Sequence, residues 1–229
     1  MLRRDYIMRM IEDFMQAIRR IQKFKNSRQW QEADAAIDEE FRSFLGEGAE
    51  KVAQLGETEL LAKLIEGEPT QSVRDKTLLL VALLQEAGDS AAMQERAYSS
   101  HTYYLKALHL LLDVMASGDV FEWPEFVPKV ESLLGGLGGS LLPSRTQAML
   151  MHHYERTGQF GKAEDALFAI LDAEPAHRKV LEFARAFYQR LQGQTNAALN
   201  AGNLPRPEVE SGLAEVQLRI QRVVEDKPR

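Results

Sequence analysis

The sequence predicts an all-α protein assembled from antiparallel helix pairs. Three observations carry this. Ala, Leu, Glu, Gln and Arg dominate, while aromatic residues make up only 8%, a mixture that favours helix over strand. Apolar residues recur at spacings of three and four along most of the chain, and no run of alternating β-branched residues would make a credible strand. Glycine and proline clusters punctuate the periodic stretches at intervals short enough for helix hairpins.

The helices are expected in the following order. Residues 2–25 form an amphipathic helix in which Ile7, Ile11, Phe14, Ile18 and Ile21 follow a 4-3-4-3 spacing, the seam pattern of a short coiled coil. Met8, Met10 and Met15 widen its apolar face, and Arg3, Arg4, Arg9, Arg19 and Arg20 line the rest. Three placements are open for it. It can pack on its own domain, or pair with a partner or a second copy through an adaptable Met-rich face. It can also lie on an anionic membrane surface, the least favoured of the three. Residues 31–67 carry ten carboxylates against three basic residues and offer its arginines an internal neighbour. The opening R-R-D-Y-I-M-R-M-I-E is similar to the start of a family of bacterial proteins of unknown function, which implies a bacterial source and no assigned activity.

A second helix over 28–45 closes at Gly46. Short helices follow near 49–55 and 58–66, with Gly56, Gly67 and Pro69 as separators. Ser72-Val73-Arg74-Asp75 resembles a capping box and launches a helix to Ala87. That helix is apolar from Leu78 to Leu84 and therefore central. Gly88-Asp89-Ser90 then reads as a turn into a long helix over Ala91–Ser117, ended by Gly118-Asp119. Trp123-Pro124 and Pro128 mark an irregular connection before a helix to Leu134. The run Gly135 to Ser140 reads as the most flexible stretch, dividing the chain into 1–134, a hinge over 135–140, and 141–229.

Beyond the hinge, Leu150, Tyr154, Gly158, Ala163, Leu167 and Pro175 mark two antiparallel helices over 144–175. Gly158 ends the first because it adopts positive φ at little cost. In type and relative spacing these residues resemble a tetratricopeptide repeat, a helix–turn–helix unit of about 34 residues. Gln147, where that family has a large aromatic, and Ile170, where it has Ala, depart from the pattern. A shift of one repeat maps Tyr154 onto Tyr188 and Ala163 onto Ala197. A further echo aligns Gln29-Trp30 and Ala33 with Gln159-Phe160 and Ala163. The resemblance implies a right-handed stack of helix pairs, and an irregular α–α bundle is the alternative. Arg178–Gln192 is the next helix, Asn200 to Pro207 a loop, and Glu208–Asp226 a final amphipathic helix.

Function is less legible. A net charge of −6 argues against nucleic acid as main partner, since phosphate binding needs a basic face. The absence of cysteine excludes disulfides, thiolate metal sites and a Cys nucleophile. The longest apolar run, seven residues, cannot span a bilayer, and charged residues interrupt any signal-peptide core, so a cytoplasmic protein is expected. None of His101, His109, His152, His153 and His177 falls at a metal-ligand spacing, and the glycine run lacks a phosphate-loop order. No catalytic motif, metal or cofactor is expected. The repeat resemblance implies a non-catalytic interaction scaffold whose first helices line a groove for a protein or peptide. Carried over position by position, that groove is Arg145, Ala148, His152, Glu155, Arg156, Lys179, Glu182 and Gln189. Ala148 and His152 stand where carboxylate-clamping members of that family place Lys and Asn. A homodimer through the first helix is a further partner reading. The alternative function is a regulator that senses a small molecule, with Tyr98, His101 and Tyr104 as one wall.

Overall fold

A computed structural model describes residues 2–65, 70–118 and 123–225. Among these the chain is all-α, with twelve helices and no strand. They divide into two compact units, 1–140 and 141–229. No described helix is long and apolar enough to cross a membrane. Gly67, Pro69 and Asp119, expected as separators, lie outside the described residues, as does Asp226. So do the side chains of Arg3 and Arg4.

The first unit holds α1 (Leu2–Asn26), α2 (Trp30–Leu45), α3 (Ala49–Gln54), α4 (Glu57–Ile65), α5 (Thr70–Met93), α6 (Ala97–Ala116) and α7 (Val130–Gly136). Its centre is α5, on which α1, α2, α4, α6 and α7 all pack. Leu78, Leu79, Leu80, Val81, Leu83 and Leu84 are buried in succession, so this stretch of helix has no solvent face. Each such side chain contributes about 1.5–3 kcal/mol on burial.

Two sequence expectations fail here. Gly88-Asp89-Ser90 does not turn the chain, because α5 continues through it to Met93. All three residues serve helix contacts instead. The Tyr104 ring packs over Gly88, Tyr104 donates its hydroxyl to Asp89, and Ser90 donates to Asp34 at 3.1 Å. The turn falls later, at Glu95. The glycine run is helical in part. Gly135 and Gly136 end α7, and the run belongs to the first unit. A Cβ on Gly136 would come within 2.4 Å of the Tyr104 ring. The expected capping box starting at Ser72 sits inside α5, which begins at Thr70.

A buried ionic cluster ties α1 to α5. Lys25, only 6% exposed, donates to Glu86 and, at 3.2 Å, to Asp89, while Gln22 donates to Glu86 at 2.6 Å. Burial, with Asp89 beside it, pushes the Tyr104 hydroxyl far above its ordinary value. Arg20 of α1 pairs with Glu39 of α2, one of the acidic neighbours expected for its arginines.

The second unit holds α8 (Ser144–Arg156), α9 (Phe160–Ala173), α10 (Arg178–Gln192), α11 (Asn196–Ala201) and α12 (Arg206–Glu225). Helix α8 pairs with α9, and α10 with α12. The mapping of Tyr154 onto Tyr188 joins two buried tyrosines, but Ala197 is exposed and Leu199 supplies the buried contact of α11. The Tyr188 hydroxyl donates to Glu164 at 2.7 Å.

Four hairpin turns across the two units share one geometry. Arg28, Glu95, Gly158 and Asn203 have φ of 56°, 58°, 73° and 57°. In each case the next residue's N–H bonds a carbonyl five residues back: Gln29 to Phe24, Arg96 to Ala91, Gln159 to Tyr154, Leu204 to Leu199. This is the Schellman closure of a helix. It explains why Gln29-Trp30 echoes Gln159-Phe160, since both pairs leave the same turn into the same kind of helix. In the second unit two of these turns abut. Gly161 donates its N–H to the Gly202 carbonyl at 2.8 Å, and a Cβ on Gly202 would lie 2.5 Å from the Gly158 carbonyl oxygen.

Two predictions follow from this packing. Gly136→Ala should destabilise the protein by about 1–3 kcal/mol through overpacking against Tyr104. Gly135→Ala, with open space around it, should be neutral or stabilise by up to about 1 kcal/mol. Denaturant titration of the two variants checks both values. Glu164 supplies the second. Burial raises its carboxyl above the ordinary 4.5, opposed by the Tyr188 hydrogen bond and reinforced by Glu208 and Asp165. A raised folded-state value favours the protonated form. Its contribution to stability is therefore fullest below the unfolded value and is lost as pH rises through the folded one. Glu164→Gln keeps the acceptor and removes the titration. The variant should melt above the parent at about pH 7, with the gap closing toward about pH 4.

Candidate functional site

The face shared by α8 and α10 carries the residues the repeat resemblance singles out. On α8, Arg145, Ala148, His152 and Glu155 follow a 3-4-3 spacing and share one side. On α10, Lys179, Phe183 and Arg190 follow a 4-7 spacing and face them. Near the N-terminal ends of both helices lies a groove of about 250 Å³. Its floor is Ala148, Ile170, Val180 and Phe183, and Arg145 and Lys179 stand at its edge. Glu174 lines it as well, accepting a hydrogen bond from Ser144 at 2.9 Å.

Further along, the His152 ring meets Phe183 edge-on, with centroids 5.5 Å apart. Further still, Glu155 accepts two hydrogen bonds from Arg190, at 2.6 and 2.8 Å. That carboxylate raises the guanidinium above its ordinary value. The order of these contacts sets α8 and α10 side by side and pointing the same way. Glu182 is taken up by Arg178 at 2.8 Å within α10, and Gln189 is exposed. Arg156 is exposed at the end of α8. Arg145 and Lys179 have no hydrogen bond or ion pair among the described residues.

The structure thus brings Arg145, Lys179 and His152 to one face and closes its far end with Glu155. Sequence reasoning missed Phe183 and Arg190. Their spacing from Lys179 placed them on the right face, but the register between the two helices is set by packing.

The other expected features are arranged differently. Tyr98 is 87% exposed, whereas Tyr104 is 5% exposed and turned toward α5 and α7, so Tyr98, His101 and Tyr104 form no common wall. Along the α1 seam, Phe14, Ile18 and Ile21 are buried within the first unit, and Ile7 and Ile11 are half-buried. Among the described residues no three His, Asp or Glu side chains are placed to hold a metal ion. His109 bonds Glu57 at 2.8 Å. Burial opposes ionisation of Glu57, but its own backbone N–H, His109 and Lys106 outweigh it and hold the carboxyl below its usual value. Lys106 beside it donates to the Leu55 carbonyl, and burial lowers its amine against the pull of Glu57 and Glu59. These groups satisfy one another and bind the α3–α4 turn to α6.

A family model matches residues 1–221, through both units and the α8–α10 face. The chain belongs to DUF6483, a family of unknown function. No curated protein and no solved structure matches it. In this DUF6483 protein the fold therefore stands on its own packing, and the α8–α10 face on its own chemistry.

The Glu155–Arg190 pair joins α8 to α10 beyond the groove, and its strength is measurable. A double-mutant cycle with Glu155→Gln and Arg190→Met should give a coupling of about 1 kcal/mol, shrinking in high salt, because the arginine is half exposed.

Proposed function

We propose that the protein is a non-catalytic interaction module and that the α8–α10 groove receives a segment of a partner protein. One observation carries this reading: Arg145 and Lys179 flank an apolar floor without ion-pair partners among the described residues. A peptide with a bulky apolar side chain between carboxylates complements that arrangement, seating the side chain on Ala148, Ile170, Val180 and Phe183. The parallel setting of α8 and α10 and the turn at Gly158 are features that a tetratricopeptide-like arrangement would use to line such a groove. A bacterial source is proposed on the resemblance of the opening residues, and the cytoplasm on the short apolar runs and the charges near the N-terminus.

Selection of displayed random peptides on the intact chain tests the reading. The enriched sequences should carry acidic residues around a large apolar one. The double variant Arg145→Glu, Lys179→Glu should bind them about tenfold more weakly or worse. Enrichment without acidic residues, or equal binding by the variant, would overturn the groove assignment.

A further inference from the structure

A second cleft, in the first unit, points to a small-molecule site independent of the groove in the second. It occupies about 490 Å³ between α1, α2 and α5, within the range of ligand pockets. Helix α1 brings Arg9, Met10, Asp13 and Phe14 to it, and α2 brings Glu40 and Phe44. Phe14 and Phe44, with ring centroids 6.1 Å apart, form its apolar wall.

Its polar groups distinguish it from the neighbouring cleft of about 360 Å³ beside Asp34. There the carboxylates are consumed by the fold. Asp34 accepts from Ser90, Gln94 and Arg96, and Asp38 from Arg42 and the Ala49 N–H. Around the larger cleft, Arg9, Asp13 and Glu40 make no hydrogen bond or ion pair among the described residues. Arg9 and Asp13 stand one helical turn apart on α1 and still do not pair. Glu40 is half-buried, with its neighbour Glu39 already taken by Arg20. Burial raises the Glu40 carboxyl, against the pull of Arg20 and with the push of Glu39. It has lost part of its water without a hydrogen-bonded cation in return. Lys76 lines the cleft as well but has a contact of its own, so the groups left to a ligand are the Arg9 guanidinium and the Asp13 and Glu40 carboxylates, and a ligand that answers both signs carries a cation and an anion.

We propose that this cleft binds a small amino-acid-like zwitterion with an aromatic or branched apolar body. The ammonium sits against Glu40, the carboxylate against Arg9, and the body among Met10, Phe14 and Phe44. A cation held beside a carboxylate and aromatic faces gains from both. The function this adds is sensing of a metabolite by the first unit, and it does not rest on the peptide-groove reading.

Isothermal titration of the full chain with three probes tests it: L-phenylalanine, phenethylamine, which lacks the carboxylate, and 3-phenylpropionate, which lacks the ammonium. L-phenylalanine should bind, and each analogue should bind about tenfold more weakly or worse. Glu40→Gln should weaken L-phenylalanine by about tenfold while leaving 3-phenylpropionate unchanged, and Arg9→Met should spare phenethylamine instead. Arg9 is exposed, so its variant still decides the matter if Glu40→Gln impairs folding. The proposal is overturned if L-phenylalanine and L-leucine both fail to bind at about 10 mM, a concentration that detects even weak sites. Analogues as tight as the parent amino acid, or variants without effect, overturn it equally.

Discussion

Helix α5 sets the architecture of the first unit. A helix that is apolar from Leu78 through Leu84 has no side it can offer to water. Every face must be covered, and α1, α2, α4, α6 and α7 do so. Where the apolar run ends, polar chemistry takes over the same task. Glu86 meets Lys25 and Gln22, Asp89 meets Lys25 and Tyr104, and Ser90 meets Asp34. A buried charge left without its partner costs about 3–5 kcal/mol, far more than an intact pair contributes. Losing one member of the cluster would therefore cost more than the intact cluster contributes, while the leucines supply the driving force.

The second unit is organised by its turns rather than by a central helix. Gly158 and Asn203 close two hairpins in the same way, and the two turns stack through backbone, from Gly161 to the Gly202 carbonyl. There is no room for a side chain between them. Helix α11 has only six residues, too short to cover α10, so α12 takes that place. The element that recurs is thus the Schellman turn between helices, found four times among the described residues. The sequence resemblance to a helix-pair repeat spans α8 and α9.

What was legible in the sequence follows from this. Helix type and the bounds of α8, α9 and α10 were readable, because each is amphipathic and bounded by Gly, Pro or polar residues. The misreadings have a common cause. Gly88-Asp89-Ser90 and Gly136 carry turn chemistry locally, but each fills a tertiary role: a ring needs the missing Cβ, or a neighbouring helix needs the hydroxyl or carboxylate. Tyr98 and Tyr104 are six positions apart on one helix, which turns them to different sides and separates them. In the groove, Arg145 and Lys179 were found by repeat position. Phe183 and Arg190 required the register of α10 against α8, which no local pattern encodes. The cleft of the first unit combines residues from 9 to 76 on three helices, and composition alone gave no hint of it.

Polar satisfaction separates scaffold from site in both units. Asp34, Asp38, Glu57, Glu86 and Glu155 are all charged residues near helix interfaces, and all accept hydrogen bonds from named neighbours. Their partners come from other helices or turns, or from the next turn of their own helix, so their chemistry is spent on holding the fold. Arg145 and Lys179 border a concave apolar surface, Arg9, Asp13 and Glu40 line a mixed cleft with aromatic rings, and none carries such commitments among the described residues. An exposed arginine alone signifies little, because water satisfies it. Charge placed beside an aromatic floor is different, since any group that displaces water there gains both burial and an ionic partner. That criterion, applied to the described residues, is what supports the two proposed sites, one cationic and suited to an acidic segment, the other offering both signs and suited to a zwitterion.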